Sequence, residues 1–182
     1  TEDYAEYELS GISALESKSV AVQPVTSASG YIYASFLLHN NGLEFVTGTP
    51  GVDEVQAVTI AGHGNALLAL LNGEVDAVCT YFDARNTTSS YQSWQDANPS
   101  ENIFDYTSVV ALTAPIYNDL IVGLSDLDLG LKAAIQQAFI NISNTQEGSE
   151  AILVFYHIKY AIAIESDYDS ERDIYQFIHP TD

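Results

Sequence analysis

The chain is poor in positive charge: Lys and Arg together number 5 (Lys18, Arg85, Lys132, Lys159 and Arg172) against 25 Asp plus Glu, for a formal charge of −20 over 182 residues. That balance argues against a nucleic-acid partner, because phosphate backbones are held by a basic face. Methionine is absent, including from position 1, and tryptophan occurs once; the missing first Met suggests a mature product or an excised piece, as after removal of a signal peptide. Cys79 is the sole cysteine, so no intramolecular disulfide forms, and in its apolar setting it reads as packing rather than chemistry. No apolar run reaches the ~20 residues of a membrane span, and the longest candidate, 151–164, is interrupted by His157 and Lys159. Spacings of His, Cys and acidic residues match no known metal site. No nucleophile elbow accompanies Ser27 or His63. The chain is therefore expected to be neither a metalloprotein nor an enzyme, and to need no cofactor.

Apolar residues make up 47% of the chain, enough for a sizeable core and well above an acidic disordered segment. The strong negative charge favours solubility and suits a saline or acidic habitat, without specifying a fold. Asn86-Thr87-Thr88 and Asn141-Ile142-Ser143 fit glycosylation acceptors, a frequent chance match.

The pattern along the chain is strand, helix, strand, helix, strand. Strands are predicted over Ser19 to Gln23, Phe45-Val46, Gln56 to Ile60 and Val75 to Tyr81. Helices are predicted from Gly30 to Asn40, closed by Asn40-Asn41-Gly42, and from Asn65 to Asn72, closed by Asn72-Gly73. This alternation signals an α/β layer with a mostly parallel sheet. Residues 86–102 read as a long polar loop anchored by Trp94. Further strands are expected at Val109 to Thr113 and Asp119 to Gly123. The last third is helical: Leu131, Ile135, Ala138, Phe139 and Ile142 recur at three- and four-residue spacing, and further helices start near Gly148 and at Asp169. The composition shifts near Thr107 to Thr113. The expected organisation is thus a lead-in over 1–18, an α/β lobe over 19–110, and a crossover strand with C-terminal helices over 111–182.

The most informative stretch is Val25-Thr26-Ser27-Ala28-Ser29-Gly30-Tyr31, a hydroxyl-rich turn between a strand and a helix. At a helix start, free backbone N–H groups and the helix dipole hold an anion without lysine or arginine. Capping of the helix by Ser27 and Ser29 explains the same residues with no ligand. His63, between Gly62 and Gly64, suits a loop at a strand end in either a ligand-holding or a structural role. Asp76 reads as a turn residue.

Several segments together resemble one family. Ser10-Gly11-Ile12, Leu15, Lys18 to Val22 and Ser27 to Tyr31, followed by Gly62-His63, Ala66 and Gly73 to Ala77, are similar in order and spacing to phosphate and phosphonate substrate-binding proteins of ABC importers. Tyr81 to Arg85 and Ala114 to Asp119 occupy the places of two later ligand-contact segments. The resemblance runs from about Ser10 to Ile178. It implies a type II periplasmic-binding-protein fold, in which two α/β lobes close on an oxyanion outside the cytoplasm, in the periplasm, at the cell surface or in a secreted form. Its ligand contacts fall here on Thr26, Ser27, Ala28, Ser29, Gly30, His63, Asp83 and Asp119, and its partners are the membrane subunits of an importer. Ionised Asp83 and Asp119 only accept hydrogen bonds, which suits a ligand with protonated oxygens or an ammonium group.

The chain departs from the family in three ways. Ala28 stands where a threonine is usual, removing a hydroxyl donor; Asp83 replaces a longer acid; the loop over 86–99 is extended. The resemblance also implies that most of the first lobe precedes the Ser-Gly-Ile segment, whereas nine residues do so here. Three expectations follow: a fragment, a chain completed by a partner or a second copy, or a repurposed structural or interaction protein that keeps the fold without transport.

Overall fold

The computed structural model describes residues 11–81, 84–117, 120–155 and 157–180. The chain divides into two compact units, one of 1–116 with 172–182 and the other of 117–171.

The first unit is built on strand β1 (Ser19–Val22). Its neighbours are β3 (Glu54–Thr59) and β4 (Ala77–Val78), and β2 (Glu44–Val46) pairs with β3, in the order β2-β3-β1-β4 with every pair parallel. Val20, Ala21 and Val22 are essentially inaccessible, the continuous apolar run expected of a parallel strand covered on both faces. Because strand side chains alternate, the two faces separate by parity. Val20 and Val22 join Val55, Ala57, Ala77 and Cys79 under helix α1 (Tyr33–Asn40), which contributes Leu38. Ala21 joins Val58, Ile60 and Val78 under helix α2 (His63–Leu71), which contributes Ala66, Ala69 and Leu70. Small residues on that second side let α2 lie close to the strand. Burial pushes the Cys79 thiol up to about 12, so it is an unreactive core group.

Helix α1 begins with a π-turn over Ala28–Ile32, and its last turn carries His39, which pairs with Glu44 at the start of β2. The outer side of α2 is covered by the segment predicted as a loop. Residues 86–102 instead hold a 3-10 turn at Thr88–Ser90 and helix α3 (Gln92–Ala97), followed by α4 (Ile103–Tyr106). Their Tyr91 and Ile103, with Ala84 and Trp94, pack on Leu67 and Leu71. The polar composition misled because it supplies the exposed sides of short helices whose few apolar residues face inward. Trp94 is the anchor expected, edge-on to Tyr91 and Tyr106. Toward the C-terminus, Phe177 of helix α7 (Asp169–Ile178) packs against Phe36 and His39.

The second unit holds α5 (Leu129–Ile142) and α6 (Gln146–Leu153). Asp128 caps α5 by accepting from the Leu131 N–H at 2.9 Å, and Thr145 caps α6 by accepting from the Gly148 N–H at 3.1 Å. Gly148 is required there, because a Cβ would collide with the Ile142 carbonyl.

Two strand expectations fail. Val109–Thr113 and the described part of Asp119 to Gly123 carry no strand. Their β-branched residues favour extension, but a strand exists only with a ladder, and among the described residues the bond from the Gly11 N–H to the Val110 carbonyl at 3.2 Å does not extend into one. The strand expected over Val75 to Tyr81 narrows to Ala77–Val78, although Asp76 and Cys79 N–H groups still donate to Ser19 and Ala21 carbonyls on either side.

Asp76 staples the edge of this sheet. Its carboxylate accepts from the Ser19 N–H at 2.8 Å and from the Ser19 hydroxyl at 2.7 Å, and these bonds hold its pKa below the usual value, with Lys18 assisting. A depressed folded-state pKa stabilises the fold above the unfolded-state value of about 3.9. That contribution is lost as pH falls through the lower folded-state value. Urea unfolding from pH 7 to pH 3 should therefore show a shallower acid loss in Asp76→Asn than in the wild type; parallel acid limbs would refute the staple.

Candidate functional site

In a parallel sheet flanked by helices, the carboxyl ends of the strands and the helix starts share one edge, where ligands bind. Here that edge is formed by Gln23 after β1, Ile60 to His63 after β3, and Thr80 after β4.

The hydroxyl-rich turn lies at the end of β1. Ser27 adopts an extended conformation and its hydroxyl accepts from the Gly30 N–H at 3.2 Å, so it is a helix cap. Its carbonyl accepts from both Tyr31 and Ile32 N–H groups, at 3.1 and 2.9 Å, which widens the first turn into a π-turn, a local form frequent at functional sites. The Ala28 and Ser29 amides make no hydrogen bond among the described residues. They are the free donors of this helix start. Thr26 is exposed, Ser27, Ala28 and Ser29 are half-buried, and Gly30 is buried. A side chain at Gly30 would collide with Gln23 Cγ and Cβ.

His63 is the first residue of α2, after Gly62 at a positive φ of 90°. Its Nδ1 lies 3.0 Å from Thr80 Oγ1, and its ring meets Tyr81 edge-on at 5.1 Å. Burial lowers its pKa, so the imidazole is neutral at pH 7. A neutral ring that accepts the Thr80 hydroxyl at Nδ1 carries its proton on Nε2, and the other tautomer reverses both roles.

Gln23 joins the two loops. It is 5% exposed, its Nε2 donates to the Ile60 carbonyl at 2.9 Å, and its Oε1 accepts from the Gly62 N–H at 2.8 Å. Its own N–H donates to the Gly30 carbonyl at 2.9 Å.

Of the residues singled out from the sequence, Thr26 to Gly30 and His63 therefore lie on one edge of one sheet, while Asp83 and Asp119 lie outside the described residues. Sequence reasoning passed over Gln23 and Thr80. The signal was present: each is the first polar residue after an apolar strand run, where a parallel sheet presents its ligand edge. The described residues contain no group of His, Cys, Asp and Glu able to hold a metal ion.

Residues 4–168 match a family model described as ABC transporter, phosphonate, periplasmic substrate-binding protein. Among solved structures, XAC2383 from Xanthomonas citri bound to ATP is similar with a TM-score of 0.66 at 12% identity, over 96% of this chain and 63% of that one. The same protein bound to chloride ion gives 0.62 at 13% identity, over 96% and 62%. This likeness is one of fold, and the chain spans less than two thirds of the solved chain's length. No curated protein matches.

His63 supplies a test of the site's electrostatics. A histidine with a lowered pKa stabilises the fold above the unfolded-state value near 6.5 and loses that contribution as pH falls through the folded-state value. An NMR titration should place the His63 imidazole midpoint below 6.5; a midpoint at or above 6.5 contradicts the desolvated site.

Proposed function

Because the chain belongs to the family of periplasmic phosphonate substrate-binding proteins of ABC transporters, we propose that it is an extracytoplasmic solute-binding module whose oxyanion site is the edge formed by Thr26 to Gly30 and His63. The observation that carries this reading is the pair of free amides at Ala28 and Ser29, at the carboxyl edge of a parallel sheet. Backbone N–H groups at a helix start, a hydroxyl from Ser29 and neutral His63 supply donors without a basic side chain. Asp83 and Asp119, carried from the sequence, accept from the ligand's protonated oxygens or ammonium group. The ligand class is phosphate, phosphonate or a related oxyanion, delivered to the membrane subunits of an ABC importer. No helix of the described residues is long and apolar enough to cross a membrane. Binding and release, rather than catalysis, is the role assigned to these groups.

Phosphate, methylphosphonate and 2-aminoethylphosphonate titrated into the ¹⁵N-labelled chain should shift the amide signals of Ala28, Ser29 and Gly30 for at least one ligand. Ser27→Ala should weaken that binding by roughly 3- to 10-fold and cost about 1 kcal/mol of stability through loss of the cap. If none of the three anions moves these amides, the oxyanion reading is lost.

A second reading, assembly of a repurposed fold with a second copy, is favoured by the second unit. Val122, Leu124, Leu129 and Ile158 are each more than three quarters exposed, and α5 buries no residue. Large apolar side chains left exposed in such number favour association. Light scattering should then give a multiple of 19.8 kDa, rising with salt as repulsion between acidic copies is screened. A 19.8 kDa species at every salt and protein concentration overturns assembly with itself.

A further inference from the structure

Gln23 and Ser143 are the buried polar residues among those described. Ser143 is accounted for by its helix end, where its hydroxyl donates to the Ile140 carbonyl. Gln23 has no such local duty. It follows an apolar strand, and an aliphatic side chain of similar size would fill its space.

Both ends of its amide are nevertheless committed, one to the chain leaving β3 and one to Gly62, the residue just before α2. Its backbone N–H closes the turn at Gly30, and its methylene stem occupies the space that a Cβ on Gly30 would need. One residue thus touches two loops that are 30 and more residues apart in sequence, Ser27 to Gly30 through its backbone N–H and stem, and Gly62-His63 through its amide. Of the partners, Gly62 is held at a positive φ that only a glycine adopts easily, so its N–H direction sets where His63 begins.

We propose that Gln23 is the positioning residue of the oxyanion site, fixing the Ala28 and Ser29 amides and His63 relative to one another so that one ligand meets both. The inference rests on the oxyanion reading for its ligand, and on geometry alone for its coupling of the two loops. The chemistry required is a donor and an acceptor on one planar group. Leucine supplies the volume but leaves the Ile60 carbonyl and the Gly62 N–H unpaired, and an ionised glutamate sets a carboxylate oxygen against the Ile60 carbonyl and a negative charge beside an anion site. A protonated glutamic acid carries one O–H donor and one C=O acceptor, and so reproduces the amide's pattern.

Gln23→Leu and Gln23→Glu in the full chain test this, each checked for cooperative unfolding. In both, the amide signals of Ala28 and Ser29 should move along with those of Gly62 and His63, with no ligand present; a structural role confined to β3 and α2 leaves Ala28 and Ser29 in place and overturns the proposal. With methylphosphonate, Gln23→Glu should bind about tenfold or more weakly than wild type at pH 7.5. That deficit, taken as a ratio to wild type at each pH so that His63 cancels, should shrink to within about threefold near pH 5, as the buried carboxyl protonates. A constant ratio across pH also overturns it. Absence of methylphosphonate binding in the wild type removes the ligand assignment, while the ligand-free amide shifts still decide the coupling.

Discussion

Burial of β1 on both faces is the constraint on which the rest of the first unit depends. A strand of four residues with Val20 and Val22 on one side and Ala21 on the other demands two covering layers, since each aliphatic side chain buried contributes on the order of 1.5–3 kcal/mol. The helices that provide them, α1 and α2, follow β1 and β3 and start at the carboxyl edge of the sheet. Covering both faces therefore places two helix starts side by side. The candidate site is a consequence of how the core is closed, and the interruption of the apolar run at Gln23 marks where core ends and site begins.

A chain of charge −20 repels anions at long range, and salt screens that field within roughly 8–10 Å. Any oxyanion must then be held by short, directional donors. The Ala28 and Ser29 amides and neutral His63 are of that kind: none adds a full positive charge, and each acts only at hydrogen-bond distance. The helix start widens into a π-turn, and the absence of a side chain at Gly30 keeps that turn packed on Gln23. The Ser27 hydroxyl, which a sequence reading offers equally as ligand donor or cap, is engaged with Gly30.

Legibility in the sequence followed the strength of the local signal. A mostly parallel sheet was readable because apolar runs of β-branched residues alternate with helical periods, and the helix ends at Asn40 to Gly42 and Asn72-Gly73 carry turn residues, whereas the strand order β2-β3-β1-β4 was not. The short helices between Thr88 and Tyr106 were not, because a six-residue helix with a few inward aromatics has too little periodicity to separate from a loop. Val109 to Thr113 failed in the opposite direction: strong β propensity with no ladder partner among the described residues. Thr26 to Gly30 and His63 were singled out from composition and order, and the structure sets them on one sheet edge, whereas Gln23 and Thr80 were passed over because a lone polar residue acquires meaning only from its partners.

The sequence by itself determined the α/β class, the succession of strands and helices up to Val78, the poverty in basic residues and the family resemblance, because each is written in local periodicity, composition or motif order. Tertiary structure decided that the end of β1 and the start of α2 are tied by one buried amide, that the Ser27 hydroxyl is a cap, and that His63 is desolvated beside Thr80. Those facts belong to distances between residues far apart in the chain, and such distances are set by the closing of two helices over one strand rather than by any residue's own propensity.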